Sequence, residues 1–120
     1  MLEIQMGTFE KQFAEVIWEN EPIKAADLTK IAELKFKWKK TTTYTVLKRL
    51  CNKKIFKNSV GLVTSCISKE EYNSIHSQNY VGEHFKGSLP AFLTAFTLGK
   101  GLTKKEYDEI RRIIDSARED

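Results

Sequence analysis

Along the first half of the chain, apolar residues recur at the spacing of helices that bury one face. Phe9, Phe13, Val16 and Ile17 stand at i, i+4, i+7 and i+8, which predicts a first helix over Phe9 to Glu19. Thr8 is placed to cap it, and Glu10 puts a carboxylate in the first turn, where the helix dipole favours an anion. Asn20-Glu21-Pro22 ends it, because the residue before a proline is pushed out of the helical region. Ile23 reads as a brief extended residue. A second helix follows with Leu28, Ile31 and Ala32 inward and Asp27 near its start. Lys35 to Lys37 reads as a basic connection, and Trp38 anchors its end. In a third helix, within Lys39 to Lys54, Thr43, Val46, Leu47 and Leu50 form the inward stripe. Thr41, Thr45, Lys48 and Asn52 line the opposite side, flanked by Thr42 and Arg49.

After Lys54 the period changes from that of a helix to that of a strand. Ile55 to Ser59 and Leu62 to Ile67 read as two strands joined at Val60-Gly61, a hairpin. Helices joined by a short turn, the last with a polar basic face and a hairpin directly behind it, predict a winged helix-turn-helix over residues 1–67. From residue 68 the pattern is helical again. Ser68-Lys69-Glu70-Glu71 and Thr103-Lys104-Lys105-Glu106 are capping boxes, and Ser88-Leu89-Pro90 opens a helix that Gly99 and Gly101 close. Residues 68–120 therefore read as three helices. Leu89, Phe92, Leu93, Phe96 and Leu98 leave little polar face on the middle one, and Tyr107, Ile110, Ile113, Ile114 and Ala117 give the last an apolar stripe. So short a segment cannot easily bury that much apolar surface alone, so this region is expected to pair with a second copy of the chain. The expected class is mainly α with a small β-hairpin: a winged helix-turn-helix followed by a three-helix dimerisation region.

Charge sharpens the picture of the third helix. The net charge of +4 is unevenly distributed, since Leu34 to Lys69 holds ten Lys or Arg and no Asp or Glu, while the remainder holds ten basic against sixteen acidic residues. A solvated helix face ordinarily mixes both signs, so this concentration of cations points to a polyanion, and the fold pattern points to double-stranded DNA. Lys39, Lys40, Thr41 and Thr42 would approach the phosphates at the helix N-terminus, where free N–H groups also attract anions. Thr45, Lys48 and Arg49 would enter the major groove, with Lys48 or Arg49 reading guanine. Lys57 would touch the backbone from the wing. Trp38 reads as a core anchor and Tyr44 as a residue at the margin of the exposed face. A second class of reading keeps the same face but docks an acidic protein partner on it.

Other chemistry finds little support. His76 and His84 stand eight positions apart, too far for a single-turn metal pair, and Cys51 and Cys66 form no C-x-x-C. These thiols are expected reduced and partly buried. No nucleophile elbow, phosphate-cradling glycine loop or dinucleotide fingerprint occurs, so neither catalysis nor a cofactor or metal is expected. The N-terminus has no secretory pattern, and no stretch approaches about 18 apolar residues. A cytoplasmic protein with no direct membrane binding is the expectation.

The residues carry a resemblance as well. Trp38 followed by Thr42, Thr45, Leu47, Arg49, Leu50 and Lys53, together with Phe85-Lys86-Gly87-Ser88-Leu89 and the closing amphipathic helix, resembles the penicillinase-repressor family and its methicillin-resistance and copper-transport relatives. The resemblance implies a homodimeric repressor with an N-terminal winged helix, a C-terminal helical dimerisation domain and a palindromic DNA operator, of the kind that governs antibiotic-resistance or stress operons. Lys54 stands where the family usually has glycine, Thr43 replaces the usual Val or Ile, and the wing around Gly61 lacks the typical arginine. The cysteine-rich metal hook of the copper-responsive relatives is absent from Thr103 to Asp120. In penicillinase-type members a membrane-bound sensor protease triggers cleavage of an Asn–Phe bond. The matching bond here is Ala95–Phe96.

Overall fold

The computed structural model describes residues 4–119. Among them the elements run α1 (Thr8–Asn20), β1 (Ile23–Lys24), α2 (Ala25–Phe36), α3 (Lys40–Asn52), β2 (Phe56–Ser59), β3 (Leu62–Ser65), α4 (Lys69–His84), α5 (Leu89–Gly99) and α6 (Lys104–Ser116). The protein is mainly α with a small antiparallel sheet, as the periodicity predicts. The chain divides into two compact units, the first ending at Ser77 and the second beginning at Gln78, so the division falls inside α4.

The first unit is closed around one core. Phe13, Ala14, Val16 and Ile17 of α1 meet Leu28 and Ala32 of α2 and Val46, Leu47 and Leu50 of α3, with Ile55, Phe56 and Val63 from the hairpin region and Tyr72 from α4. Phe9 is a correction: it continues the stripe but remains 66% exposed. Periodicity defines which face of a helix is apolar, not how far along the helix its neighbours reach. The cap is also one residue earlier than predicted. Gly7 is the N-cap, and its N–H donates to Glu10 Oε1 at 3.0 Å, the half of a capping box that needs no side chain on the cap itself.

The helix-to-helix connection is shorter than predicted. α2 continues through Lys35 and Phe36 because Phe36 still packs, its ring 4.9 Å from that of Trp38. Lys37 then turns the chain with φ 58°. Ile23 is extended as expected, and with Lys24 it adds a third strand, giving the order β1-β3-β2 with Ile23 opposite Val63. β2 and β3 are shorter than the predicted strands. Ile55 lies before β2; its N–H donates to Leu50 O at 3.2 Å and its carbonyl accepts from Cys66 N–H at 2.8 Å, so it ties the end of α3 to the chain just after β3. The two-residue loop has positive φ at both positions, 50° at Val60 and 85° at Gly61, the mirror-image turn whose twist suits a hairpin. Asn58 Oδ1 accepts from Gly61 N–H at 2.9 Å. Both cysteines are free, Cys51 half-buried and Cys66 exposed rather than partly buried. Burial pushes the Cys51 thiol up, and the neighbouring Cys66 adds to it.

In the second unit the predicted caps form. Ser88 Oγ accepts from Ala91 N–H at 3.1 Å; Thr103 Oγ1 accepts from Glu106 N–H, and Glu106 Oε1 from Thr103 N–H, both at 3.1 Å. That backbone hydrogen bond from Thr103 holds the Glu106 carboxyl below its ordinary value. Phe85 and Phe92 meet edge to face at 5.4 Å. No described residue of this unit is fully buried.

Candidate nucleic-acid interface

α3 is set in place from its inner side. Trp38, just before it, packs against Phe13 at 5.4 Å and against Phe36, a core anchor as its position suggests. Thr43 is 1% exposed, and both its N–H (3.0 Å) and its Oγ1 (3.3 Å) donate to Lys39 O. This satisfied hydroxyl explains why threonine is tolerated in the apolar stripe. With Thr43, Val46, Leu47 and Leu50 all buried, the opposite face is determined: Thr41, Thr42, Tyr44, Thr45, Lys48, Arg49 and Asn52 are exposed. Lys39 and Lys40 stand exposed at its start, and Lys57 on β2 is exposed opposite Thr64.

The charge of this surface is largely uncompensated. Of the ten cations from Leu34 to Lys69, the ion pairs among the described residues engage Lys53, with Glu10 at 3.4 Å, and Lys69, with Glu15 at 3.8 Å. Lys39, Lys40, Lys48 and Lys57 make no such pair. An open cavity of about 560 Å³ at the α2–α3 connection is lined by Glu33, Lys37, Trp38, Lys39 and Lys40, beside the free N–H groups of the first turn of α3.

Several structural partners are invisible to local pattern. Lys53 Nζ donates to Gln5 O at 2.6 Å as well as meeting Glu10, and so straps the end of α3 to α1. Burial pushes the Glu10 carboxyl up, but the Gly7 N–H and the Lys53 ammonium outweigh it and, with the Arg49 charge, hold it below its ordinary value. Glu21 Oε1 accepts from Ser65 N–H at 2.8 Å and Ser65 Oγ at 2.7 Å. Trp18 Nε1 donates to Ile67 O at 3.1 Å, and its ring packs on Phe56 and Tyr72. Burial raises the Tyr72 hydroxyl, with Glu10 adding to the effect. Lys54 has φ 62°, a left-handed position of the kind that glycine adopts without strain.

In the second unit Leu89, Phe96, Tyr107, Ile113 and Ile114 are each at least half exposed, while Phe92, Leu93 and Ile110 are half-buried. Leu98, at 84% exposure, continues this apolar surface to the end of α5. The Ala95–Phe96 bond lies within α5, and both residues are exposed. His76 stacks on Tyr72 and His84 packs on Tyr80. Among the described residues no three metal-ligating side chains come together, and no helix is long and apolar enough to cross a membrane.

The arrangement is a winged helix-turn-helix followed by a separate helical unit. The penicillinase repressor family model matches residues 6–116, and the chain belongs to that family, whose members are regulators of transcription rather than enzymes. No curated protein matches it.

Proposed function

We propose that the chain is a transcriptional repressor of the cytoplasm that binds a palindromic DNA operator as a homodimer. The observation that carries this reading is the exposed face of α3, where Lys39, Lys40, Lys48 and Arg49 surround a threonine-rich surface with no carboxylate in ion-pair contact among the described residues. In this reading Lys39, Lys40, Thr41 and Thr42 contact phosphates, Thr45, Lys48 and Arg49 enter the major groove, and Lys57 meets the backbone from the wing. The exposed apolar residues of α5 and α6 join the two copies. Two winged helices held in one dimer bind two half-sites with the second event intramolecular, so a signal that separates the copies releases the operator. Cleavage of Ala95–Phe96, triggered by a membrane-bound sensor protease, is one such signal, because it detaches α6 from the first unit.

Titration with random-sequence duplex DNA over a series of salt concentrations tests the reading. The affinity should fall steeply, with log K against log salt losing about 0.9 for each phosphate contact. Lys39→Ala should weaken all sequences alike and reduce that slope by about one in each protomer. Binding that is absent at low salt would transfer the basic face to an acidic protein partner.

A further inference from the structure

The residues that would meet base edges differ in what they have left to offer. Thr45 lies on the exposed face of α3, and its Oγ1 donates to Thr41 O, one turn back, at 2.8 Å. A hydroxyl has one proton, and here it is used within the helix. The acceptors of the major groove, N7 and O6 of guanine, N7 of adenine and O4 of thymine, all require a donor. Thr45 has none to give. With its oxygen turned back along the axis, the other substituent on Cβ, the methyl group, is what it presents outward. Thr43 makes the same backward bond on the opposite face, but there the methyl is buried in the core. Exposure is what makes the methyl of Thr45 available. Tyr44, 45% exposed, adds apolar surface beside it, whereas Lys48 and Arg49, three and four positions on, supply donors along the same side of the helix.

We infer that Thr45 is a specificity-determining residue that reads the 5-methyl group of a thymine by apolar contact, next to a base pair read by the cations at 48 and 49. This rests on the proposed entry of α3 into the major groove and deepens it: each half-site should contain a thymine whose methyl group, not its oxygen, is recognised.

The test begins with duplexes selected from a random library by the full-length protein. Each thymine of the enriched half-site is then replaced by deoxyuridine, which removes the methyl and nothing else. At one thymine per half-site the replacement should weaken binding about fourfold, or about fifteenfold when made in both half-sites, the amount expected for withdrawing one buried methyl group from each contact. Thr45→Ser, which keeps the hydroxyl and lacks the methyl, should bind the two duplexes equally. Thr45→Val, which keeps a methyl, should still discriminate. A selected duplex bound with steep salt dependence but equally well with thymine or uracil at every position overturns this inference alone, as does undiminished discrimination by Thr45→Ser. Failure of any duplex to be enriched overturns the operator reading itself.

Discussion

The two units of this chain solve the same problem differently. Both are rich in apolar residues on helices, yet every buried residue among those described lies at or before Tyr72. In the first unit Phe13, Ile17, Leu28, Leu50, Ile55 and Val63 reach 0% exposure, because helices α1, α2 and α3 converge and a small sheet and the start of α4 cover what they leave open. In the second unit Phe96 is 51% exposed, Ile113 66% and Leu98 84%. Its helices α5 and α6, of 11 and 13 residues, are too short to enclose a core by themselves. A stripe of apolar residues guarantees a face that must be covered, and it does not guarantee that the same chain covers it. The first unit encloses a core with its own elements, and the second leaves its apolar face exposed.

The strongest test of that contrast is to separate the units. A chain ending at Ser77 retains Tyr72 and should fold as a monomer by light scattering, while its affinity for a palindromic operator, at one fixed salt concentration, falls by about 10² to 10⁴. A dimeric fragment, or one that binds as tightly as the intact protein, would place the interface in the first unit. Next in size are core and face substitutions. Phe13→Ala should cost about 3–5 kcal/mol in chemical unfolding, whereas Ile114→Ala should leave the unfolding of the first unit within about 0.5 kcal/mol and instead raise the concentration at which dimers dissociate.

A smaller effect concerns the strap between Lys53, Gln5 and Glu10 within the first unit. The Glu10 carboxyl is held below its ordinary value of 4.5, so its contribution to stability is present above that pH and is lost as the pH falls through the folded-state value. Glu10→Gln should therefore be less stable than the native chain near neutrality, by about 1 kcal/mol, with the difference vanishing in acid. A difference that persists in acid would assign the effect to packing. The smallest change acts on the wing. Val60 has φ 50° and a fully exposed side chain, so a β-branched residue occupies a left-handed position and gains no burial. Val60→Asn should raise stability by about 1 kcal/mol, read as a shift in the denaturation midpoint.

What this sequence determined by itself is whatever depends on residues within a turn of one another. The inward stripe Thr43, Val46, Leu47 and Leu50 and the outward face from Thr41 to Asn52 follow from one helical period. The caps at Ser68, Ser88 and Thr103 follow from side chains that reach backbone groups three positions away. The residue types and the face of the candidate interface were legible for the same reason. Which way the Thr45 hydroxyl turns was not, because one threonine rotamer offers a donor outward and another turns it back onto the helix. Only the tertiary structure decided that Phe9 stays exposed, that α2 runs through Phe36 to pack on Trp38, and that Glu21 clasps Ser65, Trp18 reaches Ile67 and Lys53 reaches Gln5. Those last partners lie 44, 49 and 48 positions apart. No local period carries such pairs, since they exist only once the packing of the whole core has set where each element lies against the next.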